Sequence, residues 1–428
     1  MPIVAGNNMN STRKAGRERL VLFHRPIHNA YGLTLQKFIC DRPFAARVAF
    51  SYILLHTSSN LSSRTSSTLK YFNNMPGYPK LKLIDRSAFP PKIVLPDVAG
   101  YTGQFFDVKL NPNWKEAEAG SYACVHHGRK RQEFFDTGFG QMASLAYPDA
   151  DLEHLRPSMD FILWLFAFDD MIDEGGLRDN VDGTKLAVDI TMDVLRNPDT
   201  AQPKFKIAAS LLSFFQRMRA NSSPATIKRF VDASDLYTQA ILQQTVNRSV
   251  DDVPTVEEFI ELRRDTSAVK MVFAVLEYSL GLSLPEEVHN DPIIAELSLC
   301  GNDILTWAND VYSFPIEQAR GDTQNLVFIT MWDKQLDLEG AMEYVDQLTR
   351  RRTQDYVEAK KKLRSFGPEL DAQIQLYIQG IEYWVQGSID WTFMTPRYFG
   401  AEVENVRDTG VVDIMAPIAP SAPIVVDV

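Results

Sequence analysis

Asn309, Ser313 and Glu317 recur at four-residue intervals in the segment Trp307-Ala308-Asn309-Asp310-Val311-Tyr312-Ser313-Phe314-Pro315-Ile316-Glu317. On a helix each step of four advances about 40°, so the amide, the hydroxyl and the carboxylate share one face. Three such oxygens make a poor salt-bridge face but a usable set of hard ligands for Mg²⁺. Taken alone, the spacing fits a solvated helix surface equally well. A second acidic stretch, Asp169-Asp170-Met171-Ile172-Asp173-Glu174, follows the apolar run Phe161 to Phe168. Asp169 and Asp173 again share a face, whereas Asp170 and Glu174 project elsewhere on the wheel. Ligands on two helices facing one another across a pocket could hold a cluster of Mg²⁺ ions, and a pyrophosphate is the ligand such a cluster suits.

The pair of motifs resembles the aspartate-rich and Asn/Ser/Glu motifs of class I terpene cyclases, most closely those of microbial and fungal sesquiterpene synthases. The resemblance spans roughly residues 92 to 400 and implies an all-α helical bundle with a central active-site cavity. It implies metal binding by Asp169, Asp173, Asn309, Ser313 and Glu317, with three Mg²⁺ ions in the family. It also draws in Arg397-Tyr398, which follows the last long helical stretch and resembles the family's C-terminal Arg-Tyr pair. There a guanidinium fork and a phenol bind pyrophosphate oxygens. Arg263-Arg264, about 45 residues before Asn309, resembles the arginine that senses pyrophosphate. A continuous helix favours Arg264, whose i+4 and i+7 neighbours are Ala268 and Met271, while Arg263 shares a face with Lys270. The family pattern often has glycine where Ala268 stands. Ile162, Phe166 and Trp391 are spaced to line the cavity, where ring faces stabilise a cation without trapping it; plain core packing accounts for each equally well.

The implied reaction is ionisation of farnesyl pyrophosphate, loss of pyrophosphate with the metals as Lewis acids, and cyclisation of the carbocation in a pocket that excludes water. Geranyl and geranylgeranyl pyrophosphate stay open as substrates. An isoprenyl chain-elongating synthase is the alternative enzyme, but it would carry a second aspartate-rich motif where Asn309, Ser313 and Glu317 stand. A non-enzymatic helical binding protein has no use for metal ligands beside apolar runs.

Composition sets the bounds. The chain has 428 residues, 45% hydrophobic and 11% aromatic, enough for a large core. Three separated cysteines, Cys40, Cys124 and Cys300, form neither a disulfide framework nor a zinc pattern and point to a reducing, cytoplasmic setting. The net charge of −11 is uneven, because residues 1 to 90 hold 13 Lys+Arg against 3 Asp+Glu. The acidic remainder argues against a nucleic-acid partner. Bound Mg²⁺ would reverse the local sign for an anionic substrate. The apolar run Val48 to Leu55 is too short to span a bilayer, so no stable membrane insertion is expected. Oligomeric state stays open between monomer and homodimer.

Along the chain, residues 1 to 90 show little periodicity and read as a basic extension, disordered or begun at a start codon too far upstream. Residues 91 to 410 read as the catalytic domain, with helices near 114–127, 130–146, 156–174, 183–196, 203–220, 225–248, 255–283, 291–317, 339–365 and 369–392. Residues 411 to 428 read as a flexible tail. Pro315 should kink or end its helix and so displace Glu317.

Overall fold

The computed structural model describes residues 89–123, 134–173, 176–249 and 253–418. The basic extension expected over residues 1 to 90 lies outside these but for Phe89 and Pro90, and so does Glu174. The long helices are α1 (Trp114–Ala123), α2 (Phe139–Ala146), α3 (Leu152–Asp173), α4 (Val181–Arg196), α5 (Lys206–Ala220) and α6 (Pro224–Ser249). They continue with α7 (Val256–Thr266), α8 (Val269–Ser279), α9 (Pro292–Arg320), α10 (Leu326–Lys334), α11 (Leu338–Lys360) and α12 (Pro368–Trp391). Shorter helical turns stand at Val98–Thr102, Glu286–His289, Pro396–Phe399 and Val403–Thr409. The fold is all-α, as expected, apart from one two-stranded antiparallel pair among the described residues, β1 (Lys92–Val94) with β2 (Val411–Asp413).

Helix α8 has the sequence VKMVFAVLEYS, apolar almost all round, and that composition dictates a central position. Every residue of it but Lys270 is buried, and it packs on α3, α6, α9 and α12. Its one buried acid, Glu277, is held by a two-pronged Arg229 with contacts of 2.7 and 3.0 Å, as a carboxylate out of water requires. Helix α3 packs on α1, α2, α5 and α8, and α9 on α7, α10, α11 and α12. The two helices that bear the motifs thus share α8 and otherwise pack against different neighbours.

Three local features differ from the sequence reading. The expected helix over 255–283 is two helices, α7 and α8, because Ala268 adopts a left-handed conformation with φ +60°. Helix α9 does not end at Pro315 but runs to Arg320, where Gly321 (φ +79°) closes it. Dense burial of α9 outweighs the hydrogen bond that the proline withholds, a loss of about 3 kcal/mol. The expected tail is placed as far as Ile418. Val412 is buried opposite Ile93, and the Ile418 N–H donates to the Ala319 carbonyl at 2.7 Å. Helix α10 was not foreseen, although Asn325 before Leu326–Trp332 is a recognisable N-cap before an apolar run.

Candidate active site

The last turns of α3 carry Phe166, Asp169, Asp170 and Asp173, all partly exposed, whereas Ile162 and Phe168 have no accessible surface. Burial holds the Asp169 carboxyl well above the usual carboxylate range, and the charges of Asp173 and Asp170 add to it, against Arg397 and Arg263. The other two aspartates are engaged by arginines. Arg397 Nη2 donates to Asp170 Oδ1 at 2.6 Å, and Arg248 Nη1 to Asp173 Oδ1 at 2.8 Å. Asp169, alone of the three, has no arginine bonded to it among the described residues.

Helix α9 supplies the other face. Asn309 sits between two partners: its Oδ1 accepts from Arg263 Nη2 and its Nδ2 donates to the Tyr398 hydroxyl, each at 3.2 Å. One turn on, Ser313 Oγ is 3.5 Å from Asn325 Nδ2; one further turn on, Glu317 Oε2 accepts from the same nitrogen at 2.9 Å. The carboxyl of Glu317 is pushed up to about 8 by burial and by the nearby charges of Asp322 and Asp310. Asn325 is fully buried and fixed by capping α10, so it holds Ser313 and Glu317 in register.

The structure separates the two adjacent arginines. Arg263 reaches Asn309 and forks onto the buried Asp310 at 2.7 and 3.1 Å. Arg264, which the helical wheel favoured, turns away to Asp303 at 2.7 and 2.8 Å, where Arg352 also bonds. The wheel assumed a helix running through Met271. Because α7 stops at Thr266 and the chain reverses its twist at Ala268, the i+4 and i+7 neighbours of Arg264 belong to another helix.

The pocket wall also differs in part. Ile162 is wholly enclosed, which is what core packing gives and an open wall does not. Trp391 is only 1% exposed, its indole N–H bonded to the Gly138 carbonyl at 3.0 Å. It belongs to an aromatic cluster with Phe139, Phe166 and Tyr398, at centroid distances of 5.7 to 6.0 Å. Phe166 keeps solvent access, stacks on Phe139 at 4.2 Å and lies under the Arg397 guanidinium at 5.3 Å.

The donor set fits hard divalent cations. Asp169 and Glu317 are carboxyl groups whose ionisation burial and neighbouring acids oppose, and Asn309 and Ser313 add neutral oxygens. Among the described residues no three His, Cys, Asp or Glu side chains gather closely enough to chelate one ion unaided. Arg248, Asp310, Asp322 and Asn325 were missed by the sequence reading. Only Asn325 left a local signal, since the others matter through contacts 16 to 75 residues distant in sequence.

Comparison with known proteins identifies the family. The profile of terpene synthase family 2, C-terminal metal binding, matches residues 160–355. Sesquiterpene synthase 2 of Postia placenta is 33% identical over 337 residues, 78% of this chain and 98% of that protein. Sesquiterpene synthase Agr1 of Cyclocybe aegerita is 32% identical over 76% of this chain and 93% of its own. Alpha-muurolene synthase of Coprinopsis cinerea is 30% identical over 77% and 80%. Among solved structures, germacradien-4-ol synthase of Streptomyces citricolor superimposes with a TM-score of 0.58 over 67% of this chain and 96% of that one. At 21% identity it speaks to the fold alone. No described helix is long and apolar enough to cross a membrane. The chain belongs to the class I terpene synthases, in the group that holds the fungal sesquiterpene synthases.

Proposed function

We propose that this enzyme is an Mg²⁺-dependent sesquiterpene synthase that ionises farnesyl pyrophosphate and cyclises the resulting cation. The observation that carries the reading is the Asn309/Ser313/Glu317 face of α9 set with Arg263, Arg397 and Tyr398 near Asp169. Asp169 on one side and Asn309, Ser313 and Glu317 on the other would hold the ions, three by the family resemblance; Asp173 is a further donor once Arg248 shares it. When bound, Mg²⁺ supplies the Lewis acidity that draws pyrophosphate away from the allylic carbon. Arg263, in place of Arg264, binds pyrophosphate oxygens because it already stands beside Asn309. Arg397 and Tyr398 complete the polar end, and their present partners, Asp170 and Asn309, keep them charged or oriented until the anion arrives.

Below them the wall turns aromatic. Phe166 presents a ring beside the polar end, where its face stabilises positive charge by about 0.5 to 2 kcal/mol and offers no nucleophile. Trp391 and Phe139 buttress it from behind. The purified enzyme incubated with geranyl, farnesyl and geranylgeranyl pyrophosphate plus Mg²⁺ should release cyclic C15 hydrocarbons from the farnesyl substrate, read by mass spectrometry. Turnover confined to the C10 or C20 substrate would overturn the assignment. So would a longer prenyl pyrophosphate as product, which is chain elongation.

A further inference from the structure

Two arginines outside both motifs join the helices that carry them. The side chain of Arg248, near the end of α6, is 6% exposed. It donates from Nη1 to Asp173 on α3 at 2.8 Å, and its Nη2 lies 3.5 Å from Oδ2 of Asp322, just past the end of α9. The Asp322 N–H in turn donates to the Glu317 carbonyl at 2.9 Å. Arg178, five residues beyond Asp173, donates from Nη1 and Nη2 to the carbonyls of Arg320 (3.1 Å) and Gly321 (2.8 Å). These contacts close a polar ring that runs from the end of α3 through Arg178 to the end of α9, and back through Asp322 and Arg248. The ring joins the ends of two helices that share α8 but otherwise pack against different neighbours, at the place where Asp173 and Asp322 approach one another through Arg248.

Building on the function proposed above, we propose that Arg248, aided by Arg178, is a positioning residue that ties the two metal-ligand helices at their working separation. Mg²⁺ bonds oxygen at about 2.0 to 2.1 Å and tolerates little distortion, so a fixed separation is worth affinity. The sign of the effect makes the idea testable. On charge alone, removing a nearby cation must tighten Mg²⁺ binding. A tie predicts the opposite.

The experiment is calorimetric titration of Mg²⁺ into full-length protein with saturating inorganic pyrophosphate, well below the melting temperature. Arg248→Met should bind Mg²⁺ at least tenfold more weakly than wild type. Arg248→Lys should not restore affinity, because a single ammonium cannot span Asp173 and Asp322. Arg178→Met, which also removes a positive charge, should weaken binding in the same direction and serves if Arg248→Met does not fold. Equal or tighter binding by the methionine variants, or full rescue by lysine, overturns the tie while leaving the enzyme assignment standing. A wild-type protein that binds no Mg²⁺ with pyrophosphate overturns both.

Discussion

Ala268 is the residue on which the reading of the arginines turned. Its φ of +60° belongs to the left-handed region, where a Cβ costs about 1 to 2 kcal/mol. Glycine there relieves that strain but gives up a buried methyl, about 0.8 kcal/mol, and adds unfolded-chain entropy of about 0.5 to 1 kcal/mol. The terms nearly cancel, so Ala268→Gly should change stability by less than about 1 kcal/mol in urea unfolding. Ala274, buried in the regular middle of α8, makes the control. Ala274→Gly has no strain to relieve and should cost about 1 to 2 kcal/mol. Equal losses at both sites would show that Ala268 is not strained. At this scale the ligands were legible because Asn309, Ser313, Glu317, Asp169 and Asp173 obey a helical period that needs no tertiary knowledge. The choice between Arg263 and Arg264 was not legible: it depends on one left-handed residue that no propensity of alanine announces.

Helix α9 gathers Asp310, Glu317 and, one residue past its glycine stop, Asp322, and this crowding makes the element sensitive to proton uptake. Glu317 titrates near 8 in the folded chain against about 4.5 unfolded. Between those values the native state holds a proton that the unfolded state has lost, so this group lowers stability as pH rises across the window, levelling off above about 8. Asp169 is shifted in the same direction and acts with the same sign. Mg²⁺ takes the ionised carboxylate, so binding near neutral pH should release protons, and affinity should climb with pH until about 8. Calorimetry at pH 7 in two buffers of different ionisation enthalpy measures the release. Metal binding with no proton release would remove Glu317 from the ligand set. Sequence placed this helix well but misjudged its end. Pro315 argues locally for a break, and only the burial of eighteen of the helix's residues explains why the helix continues.

For the whole molecule, the helical bundle was readable because helix follows helix with breakers between them, and most observed boundaries fall within a few residues of those expected; α2 is the exception, starting at Phe139 after a left-handed Gly138 where a helix over 130–146 was expected. What could not be read was closure of the domain by its two ends. β1 and β2 are three residues each and lie 317 positions apart at their nearest, too short for a period and too distant for a local signal. They pair one end of the described chain with the other. Phe89 packs its ring toward Phe314 and Phe328, at 6.0 and 6.5 Å, and Ile93 is buried opposite Val412. The Postia and Cyclocybe relatives match over 93 to 98% of their own length using only 76 to 78% of this chain, so about the length of the first 90 residues has no counterpart in them. A protein starting at Ala88 should therefore keep both its melting temperature and its turnover. One starting at Val98 loses Phe89, Ile93 and the partner of β2. Burial of a large apolar side chain contributes about 1.5 to 3 kcal/mol, so this shorter protein should melt several degrees lower. It should also lose activity through the Gln318 and Ala319 contacts of the strap that follows β2, next to Glu317. If the Ala88 start folds with an unchanged melting temperature but does not turn over substrate, the first 87 residues take part in catalysis. If both starts melt alike, the strand pair does not close the domain.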